Sequence, residues 1–166
     1  MTNDVEPRRR QIYLSPEEQA EFLRANRKAA LATLDKDGFP HLVAMTLGVR
    51  DGAYYMTSYA KAQKVLNIRR NPHVALMIEA GGSYAELKGV MVRGRCEIIE
   101  GEDAVRDAWA VISGTAPRRR ETSDSAAKRV VLKVVPASTS PAAVITPPED
   151  AKVPTSWVPD PEPLAR

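Results

Sequence analysis

The sequence is poor in cysteine, histidine and large aromatic residues. Cys96 is its one cysteine, so no disulfide can form within the chain and no Cys/His metal set is available. The two histidines, His41 and His73, lack the spacing of metal ligands. With only two Phe and two Trp, a core must rest on Val, Leu, Ile, Met and Ala. No apolar stretch of about 20 residues is present, which speaks against a membrane-spanning helix. No apolar segment near Met1 reads as an export signal, so a cytoplasmic location is expected. The G-x-G-x-x-G, P-loop and G-x-S-x-G patterns are all missing. No Ser/His/Asp set stands out, and no two acids pair recognisably as general acid and base.

What is present fits one domain. The chain has 166 residues, 43% hydrophobic and 27% charged. Its net charge is +3, a mild basic bias. The bias is concentrated in two runs, Arg8 to Arg10 and Arg118 to Arg120. Neither lies beside aromatics or in a nucleic-acid motif, so both read as solvated segments and nucleic-acid binding is not expected.

Residues 1–13 read as a loose, Arg-rich arm. Ser15-Pro-Glu-Glu18 opens a helix to about Asn26, with Ser as N-cap, Pro in the first turn and a capping-box spacing. Lys28 to Leu34, His41 to Val49 and Ala53 to Ser58 read as three strands. Asp35-Lys-Asp-Gly38 and Arg50-Asp-Gly52 are the turns between them, which predicts an antiparallel meander. Tyr59 to Arg70 reads as a helix with Ala62, Val65, Leu66 and Ile68 on one face, ended by Asn71-Pro72. His73 to Glu79 and Lys88 to Glu100 follow as strands, with a bend or bulge expected at Gly94. Gly101 to Ile112 is an amphipathic helix through Ala104, Val105, Ala108, Trp109 and Ile112. Residues 113–125 are loop-like, and Arg129 to Val135 is a sixth strand. Eight of the 13 prolines fall at or after Pro136, so residues 137–166 read as an extended strap or tail. Tightly joined antiparallel strands with inserted helices predict a barrel or strongly curled sheet, not a parallel fold.

One constellation carries chemistry. A strand ends at Thr57-Ser58, and Lys61, Lys64, Arg69 and Arg70 follow on the next helix. Hydroxyls, free N–H groups at a helix start and nearby cations make an anion site. The same spacing also fits a surface helix with ordinary solvated cations. Trp109 and Cys96 read as core residues, and His41 as a strand-surface residue.

The stretch Tyr55-Met-Thr-Ser-Tyr-Ala-Lys-Ala-Gln-Lys-Val-Leu-Asn-Ile-Arg-Arg-Asn-Pro-His-Val-Ala-Leu76 resembles the phosphate-binding strand–helix–strand of the pyridoxamine 5'-phosphate oxidase-like superfamily. Ala30 to Pro40 resembles the first hairpin of that superfamily, and Gly89 to Glu97 its long fifth strand. The similarity covers roughly residues 15–136 as an ordered set. It implies a mainly β, antiparallel split β-barrel over residues 14–136, forming a homodimer with cofactor at the interface. By the resemblance, Lys64 holds the cofactor phosphate, and Thr57 and Ser58 contact phosphate or ring. Lys61 is a second phosphate group, and Ala44, Met45, Thr46 and Leu47 pass under the ring.

The resemblance implies an oxidoreductase that moves a hydride between a cofactor, F420 or FMN, and a small organic acceptor. The same barrel can instead hold a flavin, haem, tetrapyrrole or fatty acid without turnover. Pyridoxamine phosphate oxidases proper carry a flavin-touching glutamine where this chain has Gly89. They also end in an Arg- and Trp-bearing substrate segment, where this chain has Thr155-Ser-Trp157 among prolines. These departures point away from vitamin B6 oxidation. The short form and the Lys64-x-x-Asn67-Ile-Arg-Arg70 pattern look more like the branch that uses F420, which makes F420 the leading cofactor and FMN the alternative.

Overall fold

A computed structural model describes residues 14–82, 88–114 and 124–137. The arm over 1–13, the arginines at 118–120 and the tail beyond Ala137, with Trp157, lie outside the described residues.

Helix α1 spans Pro16–Ala25, and its start is built as its residues predict. The Ser15 hydroxyl accepts from the Glu18 N–H at 3.2 Å, and the Glu18 carboxylate accepts from the Ser15 N–H at 2.7 Å. Phe22 and Leu23 are buried, while Ala20 is exposed.

Seven strands follow: β1 (Lys28–Leu34), β2 (Pro40–Thr46), β3 (Gly48–Arg50), β4 (Ala53–Tyr59), β5 (His73–Ala80), β6 (Lys88–Ile99) and β7 (Arg129–Pro136). Helices α2 (Gln63–Arg70), α3 (Glu102–Ser113) and α4 (Asp124–Ala127) are inserted among them. The sheet order is β2-β1-β5-β6-β7-β4-β3, and every pairing is antiparallel.

The two edge strands, β2 and β3, are consecutive in the chain and separated by Leu47 alone. Two virtual bonds of 3.8 Å cannot carry the chain further than about 7.6 Å. The sheet must therefore curl until its edges nearly meet. Leu47 is fully buried at that junction, and its N–H donates to the Arg27 carbonyl at 2.8 Å. This corrects the expected single strand from His41 to Val49. That segment breaks at Leu47 and serves opposite edges, so the expected three-strand meander is two separate hairpins. Asp51 and Gly52 join β3 to β4 with φ of 51° and 73°, the left-handed geometry of a tight hairpin.

Strand alternation fills the inside of the curl. Leu31, Leu76, Ile78, Val90, Leu132, Val134 and Met56 are almost completely buried there. Each side chain of this kind contributes roughly 1.5–3 kcal/mol relative to exposure. A second, smaller cluster lies outside β4 and β7, where Tyr55 and Val131 pack against Val105 and Ala108 of α3. Trp109 packs at its margin. Cys96 belongs to the main core, and burial pushes its thiol up to about 12, with the Glu97 charge adding to the shift. It is a small buried apolar group, as its strand position suggests.

Three further expectations change. The expected loop over 113–125 extends beyond its described part, and at Asp124 the chain is already helical in α4. Leu66, expected on the buried face of α2, is 44% exposed, whereas Asn67 is fully buried. Gly94 is no bulge: the β5–β6 register runs unbroken through Val74↔Gly94. Glycine is required there because a β-carbon would collide with the Val135 carbonyl oxygen of β7. Gly94→Ala is therefore expected to cost about 1–3 kcal/mol of stability by overpacking two strand backbones, measured by urea unfolding.

Candidate functional site

The candidate site stands where β4 runs out and α2 begins. Alternation along β4 sends Thr57 and Ser58 to opposite faces. Ser58 points inward and is 4% exposed. The Lys64 ammonium donates to its hydroxyl at 3.3 Å. Thr57 faces α3, where its hydroxyl accepts from the Trp109 indole N–H at 3.2 Å. The structure thus joins Ser58 to Lys64 and engages Thr57 elsewhere.

The helix starts later than its sequence suggests. Tyr59 still belongs to β4, opposite Arg129 of β7, so residues 60–62 make the turn. Lys61 sits in that turn and is exposed. Ala62 is the N-cap and has no side chain to cap with, which leaves the first N–H groups of α2 for water or an anion. Lys64 is half-buried and makes no ion pair among the described residues. Burial lowers its pKa from the usual 10.5. A partly desolvated cation with a hydroxyl at one side and an uncapped helix start at the other is a seat for an anion.

Arg69 and Arg70, which belong to the expected basic cluster, are committed elsewhere. Arg69 pairs with Glu100 at 2.9 Å. Arg70 donates to the Asn67 side-chain oxygen at 2.9 Å and more weakly to the Leu34 carbonyl at 3.4 Å. Asn67 is the centre of this network. Its oxygen also accepts from Gln63 at 2.8 Å, and its amide nitrogen donates to the buried Thr33 hydroxyl at 3.0 Å. Thr33 in turn donates to the His41 carbonyl at 3.4 Å. The helix that carries Lys64 is so fastened to the β1–β2 hairpin. His41 is half-buried rather than on the strand surface, and its ring Nδ1 is buried without a partner among the described residues.

That hairpin carries the remaining expected residues. Ala44 and Thr46 are exposed, Met45 is half-buried, and Leu47 is buried at the strand junction. None of the four bonds to Ser58 or Lys64. One feature at the rim escaped the sequence: the Arg129 guanidinium lies 4.2 Å above the Tyr59 ring, one residue from Ser58. Residues 70 positions apart meet only through the β4–β7 register, for which the sequence has no local signal.

Comparison with known proteins gives the family. The family model described as pyridoxamine 5'-phosphate oxidase matches residues 15–141, and the chain belongs to that family. Among solved structures, a conserved hypothetical protein from Mycobacterium tuberculosis is 34% identical, with 76% of this chain and 83% of that one covered and a TM-score of 0.67. An F420 reductase is 27% identical over 75% of this chain and 97% of the other, with a TM-score of 0.60. An FAD-binding protein from Mesorhizobium loti is 29% identical over 75% and 90%, with a TM-score of 0.56. No curated protein matches the chain. No helix among the described residues is long and apolar enough to cross a membrane.

Asn67→Leu should destabilise the protein by about 2–3 kcal/mol, because it removes the bonds to Thr33, Gln63 and Arg70 that pin α2. Chemical denaturation at neutral pH checks this.

Proposed function

We propose that the chain is an oxidoreductase that binds F420, or alternatively FMN, and passes a hydride between that cofactor and a small organic acceptor. The observation that carries the reading is Lys64, a half-buried cation with no counter-ion among the described residues, bonded to Ser58 beside an uncapped helix start. Both cofactors bear a phosphate, and the donor set fits one. The likeness to an F420 reductase supports the deazaflavin, and the likeness to an FAD-binding protein supports a flavin-type ligand more broadly.

In this reading Lys64, Ser58 and the first N–H groups of α2 hold the phosphate, with Lys61 as an outer cation. Thr57, on the opposite face of β4, is held by Trp109. The bound cofactor supplies the hydride chemistry; the protein orients it and limits water. Ala44 to Leu47 offer backbone groups to the ring. Gly89 offers no side chain there, and a β-carbon on it would approach the Met77 methyl to 2.7 Å.

The outer face of the β1–β2 hairpin supports a homodimer. Phe39 in its turn is 70% exposed and Leu42 64%, beside Ala30, Ala32 and Ala44. Apolar surface of this kind marks an interface. Sedimentation at micromolar concentration should give twice the chain mass, and Leu42→Asp should return it to the monomer.

The cofactor is tested by fluorescence titration with F420 and with FMN. Micromolar or tighter binding of F420 is expected. Lys64→Ala should weaken it about tenfold to a hundredfold, as the phosphate loses a charge-assisted partner worth about 1.5–3 kcal/mol. Affinity should also fall as pH rises through the lowered Lys64 pKa, at a pH below 10.5. Over that same window the free protein should gain stability with pH, because the unfolded lysine still holds the proton that the folded one has released. Unchanged affinity in Lys64→Ala removes the site assignment. Tight binding without turnover of any acceptor leaves a carrier of the ligand instead of an enzyme.

A further inference from the structure

A cleft lies away from Lys64, on the other side of the curl. Strand β6 pairs with β5 from Lys88↔Ala80 to Arg95↔His73. Strand β7 joins it only from Gly94↔Pro136 onward. Among the described residues, 88–92 of β6 therefore have no second strand neighbour and the sheet is split there, while the Arg93 carbonyl still accepts from the Ala137 N–H at 3.0 Å. Helix α1 lies across the split, and together they enclose a cleft of about 1250 Å³. Ligand sites are typically some 300–1,000 Å³, so there is room for a sizeable organic molecule. Tyr54 lines the cleft, and Ser58 lies four residues further along β4, roughly 13 Å away at strand rise.

The lining divides by chemistry. Leu23, Val49, Tyr54 and Met91 give an apolar wall, with Met91 53% and Val49 39% exposed. Asp51 is the only acid among the described lining residues, against Arg24, Arg50 and Arg93. Arg50 is already neutralised by a two-pronged pair with Asp107 at 2.7 and 3.0 Å. Arg24 gives its Nε–H to the Ala20 carbonyl at 3.1 Å and has no acidic partner among the described residues. Arg93 has none either. Two guanidinium groups without counter-ions thus border exposed apolar surface. A ligand suited to both carries one negative group and an apolar body, since a carboxylate or sulfonate meets the planar guanidinium fork and the body covers the wall.

We infer that the cleft between α1 and the split edge of β6 is a second binding site, for an organic anion with an apolar body, its charge on Arg24 and Arg93. The inference does not rest on the Lys64 seat and stands or falls separately. Its test titrates the full chain with 1-anilinonaphthalene-8-sulfonate, followed by fluorescence. One saturable site is expected. Arg24→Glu/Arg93→Glu should weaken it tenfold or more, with unchanged circular dichroism and unchanged affinity for F420 and FMN. On the native chain, 2-naphthoate should displace the dye at least tenfold more effectively than the neutral 2-naphthalenemethanol, a comparison that needs no variant. Absence of binding, equal competition by the neutral alcohol, or unchanged affinity in the double variant overturns the site. So does a dye that F420 or FMN displaces and that Lys64→Ala loses.

Discussion

Everything in this protein depends on the chain changing sheet edge across a single residue. Leu47 separates β2 from β3, and those strands end at opposite edges of a seven-stranded sheet. So short a link forces the sheet to curl, and the curl creates an inside for Leu31, Leu76, Ile78 and Leu132. It also creates two ends, where backbone groups and apolar edges would otherwise meet water. Helix α2 brings Val65 and Ile68 into the core at one, and α1 brings Phe22 and Leu23. The proposed anion seat lies where β4 gives way to α2, and the cleft lies where the split in the sheet meets α1.

Holding α2 in place needs more than apolar contact, because a smooth hydrophobic face does not fix a short helix in rotation. Asn67 supplies the direction. It is fully buried, accepts from Gln63 and Arg70, and donates to Thr33. A buried amide with its bonds made is specific in a way that a leucine is not, since any slip of the helix would strand polar groups in the core. Lys64 is three residues earlier on the same helix, so its position is set by the same pin. Arg69 and Arg70 are drawn into holding the helix, which leaves Lys64 as the half-buried cation with its charge unmatched.

Much of the fold was legible because local rules governed it. Ser15 and Glu18 cap α1 as their spacing requires, Asp51-Gly52 makes its hairpin, and Pro72 follows the end of α2. What failed was non-local. Nothing near Leu47 says that one apolar run serves two edges, because both halves have strand composition. Gly94 looked like a bulge and is a close approach of β7, visible only once Pro136 is known to lie opposite it. At the site, the Ser58–Lys64 pair followed from the resemblance and from sequence nearness. Thr57 was grouped with Ser58 by adjacency, although alternation along a strand sends neighbours apart and Trp109 claims the Thr57 hydroxyl.

The distribution of unmatched charge gives the last step. Six described ion pairs lie at the surface, and such pairs contribute little to stability. They matter here for which cations they consume. Arg50, Arg69, Arg106, Lys36 and Lys133 are taken by neighbouring acids. Lys64, Arg24 and Arg93 have no acidic partner among the described residues; Arg24 and Arg93 border the cleft under α1, and Lys64 is half-buried beside Ser58. A half-buried lysine whose proton is held less tightly than usual is an unfavourable arrangement in the free protein. In the proposed function a bound anion would relieve it, turning the cost borne without ligand into affinity.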